Sequence, residues 1–259
     1  MTIKDVANYL EEIAPLQQAE DFDNVGLLIG DYQTKVTGIL VTLDTLEETV
    51  EEAIANKCNL IVSFHPIIFS GLKKINGNSY VERVVLKAIQ NNIAIYATHT
   101  ALDNSKVGVS AKMCEVLGLQ NTNILLPKEN SDIGMGMMGE LAEPMNENDF
   151  LNYVKMIFNS GGVRHSKSLN KSIKKVAVLG GSGSFAISNA IEEKADAYIS
   201  ADFKYHDFFK AEGKILLIDV GHYESEQFTK NLLVEYLTKK FTSFAVVLSE
   251  KSTNPIYYI

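Results

Sequence analysis

Thiols are scarce in this chain of 259 residues: it carries two, Cys58 and Cys114. They are too few and too isolated for a disulfide framework or a cysteine-based zinc site, so a reducing compartment is expected. Positive charge is also in deficit. With 24 Lys and Arg against 32 Asp and Glu, the formal net charge is −8, which repels polyanions at long range and argues against binding to nucleic acid or to an anionic membrane. Long apolar runs are missing as well: no segment approaches the roughly 20 apolar residues that span a bilayer. The opening ten residues are charged and amphipathic rather than leader-like. The expectation is a cytoplasmic protein.

Residues of 46% hydrophobic and 22% charged character are enough for one large or two small domains with a sizeable core. Helical and strand-like periods alternate along them. Residues 3–14 have helical spacing with Thr2 as N-cap. A polar turn at 21–26 precedes the apolar 27–30, residues 36–43 read as a strand and 46–57 as a helix. Residues 60–64 and 93–98 read as strands flanking a helix at 80–91, whose apolar face would hold Val81, Val84, Val85, Ala88 and Ile89. The stretch 120–146 is polar, with Asn121, Asn123, Pro127, Asn130 and a glycine-methionine run at 134–139, and suggests a domain boundary or hinge. Beyond it a helix at 145–158, capped by Asn146 or Asn148, is followed by strands at 175–179, 197–200, 214–220 and 244–248, with helices at 185–194 and 224–241. The reading is an α/β protein with largely parallel strand-helix alternation. Its halves are placed at 1–125 and 126–259, with a helix at 223–241 able to pack onto the first.

Three of the five histidines end strand-like runs. His65 follows the apolar 59–64 and precedes Pro66, which blocks continuation as an internal strand. His99 follows 93–98, with Asp103 one turn on. His222 follows 214–220 through Gly221, and Glu226, four residues later, falls on the same helical face. In open α/β sheets, ligands bind outside the carboxyl ends of the strands, so parallel strands would bring these groups to one edge. Imidazoles and carboxylates without thiolates suit Zn, Fe, Mn, Co or Ni. Two such ions could activate water and hold a leaving oxygen, with Asp103 or Glu226 bridging and His99 as general acid or base. The run Gly181-Ser182-Gly183-Ser184-Phe185-Ala186 fits a G-x-G-x-x-A dinucleotide loop. A phosphate-bearing substrate contacting Ser182 or Ser184 is one reading of it, and a tight strand-to-helix turn capped by Ser184 is the other.

The motifs Asp23-Asn24-Val25-Gly26-Leu27, Phe64-His65-Pro66-Ile67-Ile68-Phe69, Thr98-His99-Thr100-Ala101-Leu102-Asp103, Leu179-Gly180-Gly181-Ser182-Gly183-Ser184 and Gly221-His222-Tyr223-Glu224-Ser225-Glu226, taken in this order, resemble those of the Nif-three-like proteins, the type 2 homologues of GTP cyclohydrolase I. The resemblance implies two similar α/β domains around a central cleft, a homohexameric ring, and two divalent metal ions per subunit held by His65, Asp103, His222 and Glu226. His206, within Asp202-Phe203-Lys204-Tyr205-His206-Asp207, also matches the family pattern and joins His99 as a candidate catalytic residue, although Asp207 beside it offers a local explanation. Many members have two histidines before the proline. Here the first is Phe64, which removes one nitrogen ligand and weakens one of the two ion sites.

Three functions are compatible with these features. A metal-dependent hydrolase of a nucleotide-like or phosphorylated small molecule uses all of them. A metal-binding or metal-handling protein without turnover is favoured by Phe64. A regulatory interaction protein is the third, because the resemblance extends to relatives with transcriptional partners. The cyclohydrolase label is a weak guide to chemistry.

Overall fold

A computed structural model describes residues 1–128 and 132–259. The chain forms two compact units, Met1–Leu102 with Thr229–Thr253, and Asp103–Phe228 with Asn254–Ile259. Unit 1 opens with α1 (Ile3–Ile13), β1 (Gly26–Ile29), β2 (Ile39–Thr42), α2 (Glu47–Ala55), β3 (Leu60–Ser63), α3 (Tyr80–Gln90) and β4 (Ala94–Ala97). Helix α4 (His99–Asp103) leads to unit 2, with α5 (Val109–Val116), β5 (Gln120–Pro127), β6 (Gly134–Asn146), α6 (Glu147–Ile157), β7 (Arg164–His165), β8 (Ser172–Ser182), α7 (Ile187–Glu192), β9 (Ala197–Ala201), β10 (Leu216–Asp219) and α8 (His222–Glu226). The chain then returns to unit 1 through α9 (Thr229–Lys240) and β11 (Val246–Leu248). Among the described residues no helix is long and apolar enough to cross a membrane.

The sheet of unit 1 has the order β1-β4-β3-β2-β11. All its pairs are parallel except β1 with β4. Its central strands are apolar and buried throughout, as a sheet covered on both faces requires. Helix α1 begins where the Asp5 carboxylate accepts the Thr2 N–H at 2.7 Å, and it buries Ile3, Val6, Ala7 and Leu10, a single helical stripe. Helix α3 buries Val84, Val85 and Ala88, but Ile89, expected on that face, is exposed.

Unit 2 carries a six-stranded sheet, β5-β6-β8-β9-β10-β7, parallel only where β8, β9 and β10 adjoin. Three features differ from the sequence expectation. The polar stretch 120–146 is the antiparallel β5–β6 pair rather than a hinge, with residues 129–131, including Asn130, outside the described residues. Its glycines permit close strand approach: a Cβ at Gly139 would lie 2.9 Å from the Gln120 carbonyl oxygen, and Met137 and Met138 turn inward. The strand expected at 244–248 belongs to unit 1, parallel to β2. The single helix expected at 224–241 is two, because Phe228 stays on the core of unit 2 beside Phe158, while α9 buries Leu232, Leu233 and Leu237 in unit 1.

Candidate functional site

In unit 1 the register of the parallel strands fixes which residues emerge together. Thr42 of β2 pairs with Ser63 of β3, and Ser63 with Ala97 of β4. Two residues beyond each of these strand ends stand Asp44, His65 and His99. The ladder continues as the chain leaves the sheet: the His65 N–H donates to the Leu43 carbonyl at 3.0 Å and the His99 N–H to that of Phe64 at 2.9 Å. The two imidazoles are thereby neighbours, with ring centroids 5.3 Å apart. The His65 Nδ1 meets Asp44 Oδ1 at 2.8 Å, and the His99 Nδ1 meets Asp23 Oδ1 at 2.7 Å. An ionised carboxylate only accepts, so each Nδ1 carries a proton and donates it.

Asp23 comes from the polar turn before β1, and its side chain is fully buried. Burial alone would raise its pKa. The hydrogen bonds from His99 and Thr100 override that effect and hold the carboxyl near 2. Thr100 donates to it through both its N–H, at 3.0 Å, and its hydroxyl. His99 itself has φ +25°, a sparsely populated conformation for a side-chain-bearing residue that marks a position held by its surroundings. Phe64 is fully buried, with its ring 4.8 Å from that of His65 and 5.6 Å from that of His99. It therefore fills with hydrocarbon the position at which the family resemblance leads one to expect a second imidazole.

In unit 2, β10 ends at Asp219, and Gly221, at φ +97°, turns the chain into α8. His222 and Glu226 share one face of this helix, with His222 Nε2 3.2 Å from Glu226 Oε2. The His222 Nδ1 meets Asp202 Oδ2 at 2.7 Å. Asp202 directly follows β9, two residues beyond Ser200, which pairs with Asp219. Burial pulls the His222 imidazolium down, but hydrogen bonds to Asp202 and Glu226 reverse this and push its pKa up to about 11. The His222 hydrogen bond, with help from Ser182, holds Asp202 near 2. The His222 imidazole thus stands as the ion-pair partner of the buried Glu226 carboxylate.

The glycine-rich run proves to be part of this arrangement. Gly180 and Gly181 end β8 against α8, and a Cβ at Gly181, where φ is +66°, would collide with the Glu226 carboxylate. The Gly181 N–H donates to Ser225 Oγ at 2.9 Å, and its carbonyl accepts from Ser200 Oγ at 3.0 Å. A Cβ at Gly183 would strike Ser200 and Tyr198. These glycines make room for neighbouring side chains, and the Gly181 N–H and carbonyl are both engaged within unit 2. The Ser182 hydroxyl donates to Asp202. Ser184 begins a 3-10 turn, Ser184–Ala186, that has no side-chain cap, contrary to the capping alternative.

Asp103, the last residue of α4, is half-buried. His206 is exposed on the 3-10 segment Tyr205–Ala211, stacked edge-on to Tyr205 at 5.2 Å. Asp207 does not explain it, since that carboxylate accepts the Lys204 N–H and pairs with Lys210. His165 Nδ1 donates to the Ser166 carbonyl oxygen at 2.8 Å. Sequence reasoning singled out the histidines but missed Asp44 altogether and gave Asp23 and Asp202 no orienting role. For Asp44 the available signal was an acidic residue at the same offset past the neighbouring strand as His65.

The whole chain has relatives. A "GTP cyclohydrolase 1 type 2 homolog" from Clostridium acetobutylicum is 34% identical over 87% of this chain and 85% of its own length. One of the same name from Clostridium perfringens is 32% identical over the full length of both. The crystal structure of a Staphylococcus aureus hypothetical protein superposes with a TM-score of 0.94 at 31% identity, covering 100% of this chain and 99% of that one. The family model described as Duf34/NIF3 (NGG1p interacting factor 3) matches residues 1–255. With strand-end histidines, glycine run and α8 motif all inside that match, this chain belongs to the Duf34/NIF3 family.

Proposed function

We propose that the chain is a divalent-metal protein in which His65, Asp103, His222 and Glu226 supply the ligands, and that it hydrolyses a nucleotide-like or phosphorylated small molecule. The observation that carries this reading is the pairing of His65, His99 and His222 each with its own carboxylate at Nδ1. That arrangement fixes the tautomer in which Nε2 is the donor atom, as in carboxylate-histidine-metal triads. The donor set of imidazole nitrogen and carboxylate oxygen fits a borderline divalent ion. When bound, such an ion supplies Lewis-acid polarisation of an oxygen. The chain's own groups do the rest. Asp44 and Asp202 keep two imidazoles aimed, and Glu226 contributes a buried negative charge that favours a cation over water. His99, backed by Asp23, takes or delivers a proton at Nε2. Ser182, Ser184 and His206 are the groups proposed to meet the substrate. The relatives' name points to a purine nucleotide as the first compound to try.

Metal analysis of purified protein, followed by calorimetric titration of the chelator-treated chain, tests the first half. Wild-type binding that survives in Glu226→Gln at full affinity would refute the ligand assignment. Assays with phosphodiester, phosphomonoester and cyclic amide substrates test the second half, with Glu226→Gln as control.

A second reading, metal handling without turnover, is favoured by Phe64. A buried phenyl ring against both His65 and His99 leaves a second ion one nitrogen short, so a second equivalent would bind far more weakly than the first. Two equivalents of matched affinity would remove this reading.

A further inference from the structure

The carboxyl-terminal segment is used in a way that the metal reading leaves unexplained. Thr253 is buried in unit 1, and its hydroxyl donates to Asp44 Oδ2 at 2.5 Å. Asp44 Oδ1 is the acceptor that orients His65. The very next residue, Asn254, belongs to unit 2, where its Nδ2 donates to Glu224 Oε1 at 2.9 Å. Glu224 is 4% exposed and lies on α8, two residues from both His222 and Glu226. Two consecutive residues thus reach the supporting groups of both sets of ligands.

The segment is anchored rather than draped. Asn254 Oδ1 accepts the Ile256 N–H at 3.0 Å, closing a tight turn. Tyr258 lays its ring on Gly161 and Gly162: a Cβ at Gly161 would collide with the ring and with Tyr258 Cβ, and one at Gly162 would lie 3.4 Å from the ring edge. Gly161 has no need of glycine for its backbone dihedrals, so the absent side chain serves the tyrosine. The Tyr258 hydroxyl lies 3.1 Å from where a Cβ of Gly221 would stand, beside the Glu224 carboxylate. On the far side the Glu224 carbonyl accepts from Gln227 Nε2 at 3.1 Å. Helix α8 has only five residues and no side-chain cap at its start, so its own hydrogen bonds cannot hold it against fraying.

We infer that residues 253–258 form a strap that positions the metal ligands: Thr253 aims His65 through Asp44, and Asn254 with Tyr258 pins α8 through Glu224. This rests on the ligand assignment proposed above. Thr253 and Asn254 are positioning residues in the outer support of the site, where substitutions usually weaken metal affinity by 10- to 100-fold.

The test uses the full-length chain and cobalt(II) alone as probe, comparing wild type with Thr253→Val, Asn254→Ala and Gly161→Ala. Two readouts are taken: cobalt affinity by titration, and amide hydrogen exchange at 222–226 in the metal-free protein. Asn254→Ala and Gly161→Ala are expected to lower affinity by about tenfold and to speed exchange in α8, with exchange in β8, β9 and β10 unchanged. Thr253→Val is expected to lower affinity similarly without altering α8, and to shift the His65 ring-nitrogen NMR signals away from the Nδ1–H form. Wild-type affinity in all three variants, or unchanged α8 exchange in both Asn254→Ala and Gly161→Ala, overturns the strap. Failure of the wild type to bind cobalt overturns the ligand assignment instead. The exchange readout then decides the strap alone, faster exchange upholding it and unchanged exchange overturning it.

Discussion

At the scale of single residues, the decisive groups are the carboxylates behind the histidines. Asp23 gives the clearest pH signature. Its carboxyl is held near 2 in the fold against about 3.9 in an unfolded chain, so it stabilises the protein above pH 4 by about 2 kcal/mol, and this is lost as pH falls from 4 to 2. Asp23→Asn should lower the urea midpoint at pH 7 and flatten its dependence on pH across that window. An unaltered acid limb would refute the role. Tyr96 shows the opposite case. Its hydroxyl is buried without a hydrogen-bond partner among the described residues, and burial drives its pKa upward, so Tyr96→Phe should leave stability unchanged or raise it by about 1 kcal/mol. A large loss in thermal unfolding would reveal a hidden partner for the hydroxyl. Gly181→Ala should be costly for two reasons, its positive φ and its contact with Glu226. We expect at least 1 kcal/mol of destabilisation together with weaker cobalt binding. Binding at wild-type strength would mean that Glu226 has room to move.

At the scale of elements, the alternation of apolar runs with helical periods was enough to locate most strands and helices. The residue pattern carries period and burial, and those decide local structure. It carries much less about which sheet a strand joins. Val246–Leu248 looks like any short buried strand and only its parallel pairing with β2 reveals its unit. The β5–β6 pair was hidden for a different reason. Strand β5 is largely exposed, and its polar asparagines with the glycines of β6 imitate a loop, whereas the glycines are there for backbone contact. The three histidines could be singled out because ligands bind beyond strand ends. The pairing of Asp44 with His65 was not legible, because the offset that matters there is measured across neighbouring strands rather than along the chain. One capping prediction belongs here: Asn146 accepts the Asp149 N–H at 3.0 Å at the start of α6, so Asn146→Ala should cost about 1 kcal/mol in chemical denaturation. No loss would show that the cap is redundant.

For the whole molecule, metal binding and stability should be linked. An ion that binds only the folded chain at 100 times its dissociation constant adds about 2.7 kcal/mol, so excess zinc or cobalt should raise the thermal midpoint and chelator should reverse it. The increment should shrink in Glu226→Gln. A midpoint insensitive to every divalent ion tried would remove the metal reading at a stroke.

Neither unit is one continuous stretch of chain: residues 1–102 need 229–253 to complete their sheet, with β11 covering the edge of β2. During synthesis the six strands of unit 2 leave the ribosome before that edge strand is made, so the amino-terminal sheet waits with an open flank while its successor assembles. A nascent or prematurely terminated chain ending near residue 228 would expose β2 to pairing with other chains, which makes frameshifted or nonsense products of this gene candidates for aggregation rather than partial function.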